Sequence, residues 1–252
     1  MSRLLKAAAA AALLASAAAP AAAQLRVERR ADLALPVTLG PGQGAILVGF
    51  RRPDPQSQNR HGSVAFARYD LEARDIVPQP RGARRAGDTT TYWVLAKSGD
   101  RTLAQDHSLM IVTEGDYVMF GAAPMRVVDS TFCLGAPTFR VRAGEVTYFG
   151  DVTPYLNVRM EGGRRGSAMA YSSDLEKARE ALASQPALAA ALRPAEISNQ
   201  ATFGCVAQSM LAYAVPGAAD LPPMTETPPA AQAASAEAPA ETVPVPAPDT
   251  RP

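Results

Sequence analysis

The fold class is most evident in the stretch GAILVGF at Gly44–Phe50, an unbroken apolar run of strand length. The next run, SVAFARY at Ser63–Tyr69, alternates so that Val64 and Phe66 share one face. Further β-branched and aromatic runs follow at Thr89–Leu95, Ser108–Val112, Tyr117–Phe120, Thr138–Arg142, Val146–Phe149 and Tyr155–Met160. Short strands that Gly, Pro and Asp separate at regular spacing are typical of a sandwich or barrel. We therefore predict a mainly β fold, an Ig-like antiparallel sandwich, over residues 24–171.

Two segments of the chain repeat one pattern. GDYVMFG at Gly115–Gly121 and GEVTYFG at Gly144–Gly150 each read glycine, acid, three mostly apolar residues, Phe and Gly. Because the leading glycine can take the positive φ of a hairpin turn, Asp116 and Glu145 are expected at exposed turns. This interpretation disfavours the alternative that they form a pair of catalytic carboxylates.

The segment FRVRAGEVTYFG at Phe139–Gly150 carries a family resemblance. Its strand, glycine turn and tyrosine-bearing strand resemble small bacterial envelope domains of the DUF2846-like and carboxypeptidase-regulatory-like kinds, over the stretch Gly115–Asp151. The resemblance implies an Ig-like sandwich in a cell-envelope protein of undefined activity, and it brings no catalytic residues with it.

The start of the chain has the features of an export signal. Arg3 and Lys6 precede a small, apolar run from Ala7 to Ala19, and Ala21–Ala23 then forms an A-x-A site. This order is typical of a secretory signal peptide, and the run is shorter than the about 20 residues that span a membrane. We predict a signal peptide at residues 1–23, cleavage before Gln24, and a periplasmic or secreted protein without a transmembrane segment.

The end of the chain divides into two further parts. Ser173-Asp174-Leu175-Glu176 reads as a capping box with Ser173 as N-cap, and Leu175, Ala178 and Leu182 then recur at helical spacing. Residues 172–215 are therefore predicted to be a helical segment packed on the sandwich. Residues 216–252, rich in Pro and Ala with few large apolar side chains, are predicted to be a disordered tail.

Charge gives a weak signal about partners. Residues 24–215 carry 22 basic and 19 acidic side chains, too mild an excess for nucleic-acid binding. Basic side chains do cluster in predicted loops, and converging loops would form a binding site for an anionic glycan or lipid. These candidate anion-binding residues are Arg51, Arg52, Arg81, Arg84, Arg85, Arg164 and Arg165. The last two lie in EGGRRG, at residues 161–166, which is predicted to be a hairpin turn because it opens no helix.

The two cysteines, Cys133 and Cys205, are predicted to form a disulfide, because an exported protein matures in an oxidising compartment. The bond would close a loop of about 70 residues and contribute about 4 kcal/mol in the chain-entropy model. A metal site is not expected, since two thiolates without a nearby histidine fall short of a zinc ligand set. No cofactor motif is found in the sequence.

The two histidines, His61 and His107, bear on the question of catalysis. Asp106-His107-Ser108 contains the residue types of a catalytic triad, but successive side chains of a strand point to opposite faces. We therefore expect no catalysis at His107, and a solvated loop position for His61. The sequence favours an exported, non-catalytic envelope protein, a structural or partner-binding module. The alternatives are a binding domain for an anionic envelope glycan or lipid, and a hydrolase that pairs His107 with a distant carboxylate.

Overall fold

A computed structural model describes residues 30–51, 62–98, 103–123, 130–159, 161–163, 165–204, 209–210 and 212–224 of the chain. The predicted signal peptide lies outside these residues, as do His61 and residues 225–252 of the predicted tail. Among the described residues, no helix is both long enough and apolar enough to cross a membrane.

The described chain is mainly β, with fourteen strands, two short α-helices and two 3-10 turns. The strands are β1 (Gln43–Arg51), β2 (Ser63–Asp70), β3 (Asp75–Ile76), β4 (Trp93–Lys97), β5 (Gln105–Thr113), β6 (Gly115–Ala123), β7 (Ser130–Thr131), β8 (Leu134–Val141), β9 (Val146–Arg159), β10 (Arg165–Ser172), β11 (Leu192–Pro194), β12 (Ser198–Thr202), β13 (Ser209–Met210) and β14 (Ala219–Asp220). The helices are α1 (Leu175–Ala181) and α2 (Pro186–Ala190).

The strands form two sheets in a sandwich-like arrangement, which confirms the predicted fold class. The first sheet has the order β10-β9-β1-β5, with β11 also paired to β9. The second has the order β13-β7-β6-β8-β12-β14, and β2 joins it through β6 and carries β3 and β4. Most described pairs are antiparallel, as predicted, whereas β1–β9, β11–β9, β12–β14 and β13–β7 are parallel. A parallel pair needs a long crossover connection, and the chain between β1 and β9 provides it by contributing strands to the second sheet.

The first sheet has an apolar core on each of its faces. On one face, Ile46, Val48 and Phe50 of β1 join the large core shared with the second sheet. On the other face, Ala45 and Leu47 pack in a smaller core. Its remaining buried members are Leu109, Val146, Tyr148, Ala178, Leu182, Leu188 and Leu192, and partly buried side chains between Ala31 and Leu39 cover it. The helices and the first described residues therefore form a third layer over the first sheet.

The segment at residues 172–215 differs from its prediction as a helical segment. Ala178 and Leu182 are buried on one face of α1, as the helical spacing indicates. The N-cap is Asp174, one residue later than predicted, since its side chain accepts a hydrogen bond from the Lys177 backbone N–H at 3.2 Å. Beyond α2 the segment also supplies β11, β12 and β13. The sequence pattern missed these strands because they are short, and pairing with β9, β8 and β7 forms them.

The boundary of the predicted tail is also different. Residues 216–221 belong to the folded unit, which extends to Leu221. β14 pairs with β12, and the Leu221 backbone N–H donates to Asn199 O at 2.9 Å. The buried Asn199 side chain holds the same segment, because its Nδ2 donates to the carbonyl oxygens of Val215 and Ala218. Composition alone did not reveal this ordering, since backbone hydrogen bonds provide much of it.

β9 runs through a point where the sequence predicts a break. Val146–Phe149 and Tyr155–Met160 are predicted as separate strands, but they form one strand that contains Pro154. Proline cannot donate a ladder hydrogen bond, so it needs a position without a neighbour on that side. β1 pairs with β9 only as far as Val152, which leaves room for Pro154. A turn at Glu161–Gly163 then joins β9 to β10, which confirms the predicted hairpin.

Candidate functional site

His107 lies on β5, the edge strand of the first sheet, directly across from a glycine of β1. In the β1–β5 register His107 is opposite Gly49, and in the β1–β9 register Gly49 is opposite Asp151. The three residues therefore form one row across β5, β1 and β9. A Cβ atom added to Gly49 would lie 1.9 Å from Asp151 Oδ1 and 3.3 Å from His107 Nε2. Glycine at this position lets the side chains of His107 and Asp151 approach each other above β1.

A β-bulge in β9 sets the direction of the Asp151 side chain. Leu47 is opposite Tyr148 whereas Val48 is opposite Gly150, so Phe149 is an extra residue on β9. Without the bulge, Tyr148 and Asp151 would lie on opposite faces, because side chains alternate along a strand. Gly150 has φ +124°, and a Cβ there would lie 2.4 Å from the Tyr171 ring. The bulge thus requires glycine and brings Tyr148 and Asp151 to the same face.

The Asp151 carboxylate is buried and bound by groups from three strands. Its side chain has 0% exposure. Oδ1 accepts from the Tyr148 hydroxyl at 2.6 Å, and Oδ2 accepts from Gln105 Nε2 at 3.1 Å. Arg51 Nη2 lies 3.1 Å from Oδ2 and forms an ion pair with it. A buried carboxylate is costly unless it is paired and hydrogen-bonded, and Asp151 meets both requirements.

Asp151 and the side chains around it, Arg51, Gln105, His107 and Tyr148, form the Asp151 cluster. The Tyr148 hydroxyl connects this cluster to the first helix. It donates to Asp151 Oδ1 and accepts from the Asp174 backbone N–H at 3.2 Å. Asp174 is the N-cap of α1, and its Oδ2 lies 3.9 Å from Arg51 Nη2. The same few polar groups therefore hold three strands together and fix the beginning of the helix that covers them.

A second carboxylate, Asp106, secures the edge of β5. Arg30 Nη2 lies 3.2 Å from Asp106 Oδ1 and donates to the His107 carbonyl oxygen at 2.7 Å. Asp106 also accepts from the His107 backbone N–H at 2.8 Å and from Ser98 Oγ at 2.8 Å. The first described residue is thereby attached to the strand that carries His107.

The His107 imidazole is close to Asp151 without a hydrogen bond to it. Nε2 lies 3.8 Å from Asp151 Oδ1, and the side chain is 10% exposed. Burial is the largest influence on its titration and lowers the pKa of His107 below the ordinary value of 6.5, although Asp151 and Asp106 act in the opposite direction. Burial, followed by the hydrogen bond to Asp151, raises the pKa of Tyr148. Burial therefore favours the neutral form of both side chains.

The chemistry of this cluster resembles a general-base dyad only in part. A histidine beside a carboxylate can accept a proton from a nucleophile within hydrogen-bond reach. The nearby hydroxyls are engaged elsewhere: Ser108 Oγ contacts Met110 Sδ at 3.7 Å, and Ser98 donates to Asp106. Within the described part of the chain, no group of three or more His, Cys, Asp or Glu side chains is arranged to hold a metal ion.

The structure describes only some of the predicted anion-binding arginines. Arg51 is paired with Asp151 and Asp174, so it holds internal carboxylates rather than an external anion. Arg81, Arg84 and Arg85 are exposed on the turn around Ala83–Ala86. Arg52 and Arg164 lie outside the described residues, as does the side chain of Arg165. Convergence of these loops therefore stays a prediction.

The two acids of the repeated pattern lie apart from each other, and only one of the two cysteines is among the described residues. Asp116 lies in β6 opposite Arg140 and forms an ion pair with it at 3.1 Å. Glu145 lies at the turn before β9, 3.8 Å from Arg142. Each acid is thus beside a basic residue of β8 or of the turn that follows it, instead of beside the other acid. Cys133 is buried at 2% exposure in the larger core, whereas Cys205 lies outside the described residues, so the disulfide stays a prediction.

Asp151, the central acid of the cluster, is not among the residues that the sequence pattern singles out. The repeated glycine–acid pattern points to Asp116 and Glu145 instead, and only the two chain neighbours of His107 are visible as its partners in the sequence. One signal was present, since Asp151 interrupts a strand pattern between Phe149-Gly150 and Val152, and a carboxylate there must find a partner. Its partner strand could not be read, because the β1–β9 pairing joins residues about 100 positions apart.

Comparison with known proteins adds no assignment. No protein-family model, no curated protein and no solved structure matches this chain.

Proposed function

We propose that this chain is an exported cell-envelope protein that acts as a structural or partner-binding module and not as an enzyme. The observation that supports the proposal is that the Asp151 carboxylate is bound by other side chains and not by His107. Its Oδ1 lies 3.8 Å from Nε2 of the His107 imidazole, and the carboxylate is bound by Tyr148, Gln105 and Arg51. His107 Nε2 makes no hydrogen bond to this carboxylate, so Asp151 does not orient the imidazole as the acid of a catalytic relay does.

The location in the envelope is supported by the sequence. The basic start, the short apolar run and the site at Ala21–Ala23 give the order of a signal peptide. N-terminal sequencing of the protein from a periplasmic fraction should find Gln24, or its cyclised form, at the start. A mature chain that still begins at Met1 would remove the basis for export.

The test of a non-catalytic role is complementation of a deletion strain. His107→Ala should restore the phenotype at matched abundance, since the proposal gives His107 no chemical task. Leu109→Ala is the matched control, because Leu109 lies on the same strand and is buried in the adjacent core. If His107→Ala is folded and abundant but fails where Leu109→Ala succeeds, the hydrolase alternative replaces the proposal.

A second candidate function is binding of an anionic envelope glycan or lipid. Arg81, Arg84 and Arg85 are exposed on a single turn, which favours this candidate. Clustered guanidinium groups bind phosphate and carboxylate groups. Sedimentation with anionic vesicles should then depend on the three arginines and weaken with salt. Equal sedimentation of the triple Arg→Gln variant would reject this candidate and leave the proposed module unaffected.

A further inference from the structure

Two buried nitrogen atoms of the cluster have no hydrogen-bond partner among the described residues. They are His107 Nε2 and Arg51 Nε, and each exposes less than 1 Å². A buried polar group without a partner costs about 1–3 kcal/mol. Because so little of either atom is accessible, a ligand atom cannot reach them while the cluster is closed. These two unpaired nitrogen atoms therefore favour opening of the cluster and do not indicate a binding site within it.

The charged and titratable groups around His107 come from every element of the cluster. Asp151 and Tyr148 lie on β9, and Arg51 lies at the end of β1. The remaining ones are Asp106 on β5 itself, Arg30 before β1 and Asp174 at the start of α1. Of these groups, only the histidine belongs to a residue type that ordinarily titrates between pH 5 and 8.

We propose that His107 and Asp151 form an acid-sensitive clamp, in which proton uptake by His107 opens this end of the first sheet and releases Arg30 and the beginning of α1. The 3.8 Å separation leaves His107 Nε2 without a hydrogen bond to Asp151. Asp151 is held by three other donors, so it cannot move to a protonated His107 without giving up those bonds. The clamp therefore resists the proton while it is closed, and the proton favours the open form.

The contacts of the clamp determine what its opening releases. Arg30 is bound to the His107 carbonyl oxygen and to Asp106, so displacement of His107 breaks the attachment of the first described residue. The Asp174 backbone N–H is bound to the Tyr148 hydroxyl, which donates to Asp151. Displacement of Asp151 therefore breaks the support of the α1 N-terminus. The proposal adds regulation to the protein and does not depend on its being non-catalytic.

The sign of the pH effect follows from proton linkage. In the open form His107 titrates near 6.5, and in the closed form burial lowers its pKa below that value. The open form binds more protons, so the closed form is fully favoured above about pH 6.5 and loses stability as the pH falls toward the lowered pKa. Histidine is the residue type of this cluster that ordinarily titrates in this window.

Amide hydrogen exchange of the full mature chain tests the clamp. The reporters are the backbone N–H groups of Ala31, which donates to Leu109 O, and of Asp174, which donates to Tyr148 Oη. After correction for intrinsic rates, their protection should fall by up to about tenfold between pH 7.5 and 5.5. Amides of β2 in the second sheet serve as the internal reference and should change much less.

The two histidines of the chain provide a matched pair of variants. His107→Gln, which cannot take up a proton, should abolish the pH dependence at Ala31 and Asp174. His61→Gln should retain it. An unchanged pH dependence in His107→Gln, or equal protection of the wild-type reporters at both pH values, would overturn the proposal.

A measurement on the wild type covers the case in which His107→Gln does not fold. The imidazole of His107 can be titrated by NMR in the native chain, with His61→Gln used for assignment. A pKa below 6.5 agrees with the clamp. A pKa at or above 6.5 would show that the contact with Asp151 acts as a stabilising ion pair, and it would overturn the proposal.

Discussion

Asp151 occupies the space above Gly49, where a side chain would otherwise stand. A Cβ on Gly49 would lie 1.9 Å from Asp151 Oδ1, closer than real Cβ atoms approach. Asp151 and His107 lie on the strands at either side of β1. The row of His107, Gly49 and Asp151 across the first sheet thus requires a residue without a side chain at position 49 of β1.

Substitution of that glycine should disrupt the row. We expect Gly49→Ala to lower the free energy of unfolding by about 1–3 kcal/mol, because the added methyl group displaces a buried, paired carboxylate. Denaturant unfolding measures the change. Gly204→Ala is the control, since a Cβ there meets nothing within 4 Å. A Gly49→Ala protein as stable as the Gly204→Ala protein would contradict the assigned position of Asp151.

The end of the folded unit can be tested by two truncations. A chain that ends at Met224 should unfold at the denaturant midpoint of the full chain, because the sequence predicts that the removed residues bury almost nothing. A chain that ends at Val215 should lose about 1–3 kcal/mol, because it lacks β14 and leaves the buried Asn199 amide without the Ala218 carbonyl. Equal stability of the two truncated chains would restore the boundary that composition predicts.

Local sequence patterns predict many of the strands of the sandwich, but they do not predict the Asp151 cluster. The apolar run at Gly44–Phe50 indicates a strand buried on both faces, and the structure has β1 between two cores. The alternation at Ser63–Tyr69 likewise indicates β2. These patterns depend on side-chain period, which is a local property.

The missing information concerns pairing between distant segments. Gly49 gives no sign that a carboxylate will lie over it, and the Phe149-Gly150 bulge appears only in the register against β1. The short strands β11 and β14 also exist through pairing and carry little pattern of their own. Strand alternation predicts that Asp106, His107 and Ser108 do not form a relay by themselves, and Ser108 Oγ contacts Met110 Sδ. Local patterns do not identify the carboxylate that lies beside the His107 imidazole.

The cysteine pair remains a prediction with a direct test. We expect Cys133 and Cys205 to be joined in natively exported protein, since Cys133 is buried and the chain contains no third cysteine. Cys133→Ser and Cys205→Ser should then destabilise the protein to a similar degree, by about 4 kcal/mol if chain entropy dominates. Non-reducing mass spectrometry of the wild type provides the complementary measurement. Two free thiols in exported protein would contradict the pairing.

We infer that the Asp151 cluster stabilises the fold by joining β1, β5, β9 and the start of α1. Among the described contacts of the Asp151 carboxylate, the hydrogen bond that Oδ1 accepts from the Tyr148 hydroxyl is the shortest, at 2.6 Å. A double-mutant cycle with Tyr148→Phe and Asp151→Ala isolates this contact from the packing that each substitution disturbs.

The most direct measurement is therefore the coupling free energy between Tyr148 and Asp151, obtained from the denaturant unfolding of the wild type, the two single variants and the double variant. A charge-assisted hydrogen bond in a buried site should give a coupling of about 1.5–3 kcal/mol. Additive losses, with a coupling below about 0.5 kcal/mol, would contradict the claim that this cluster holds the fold together.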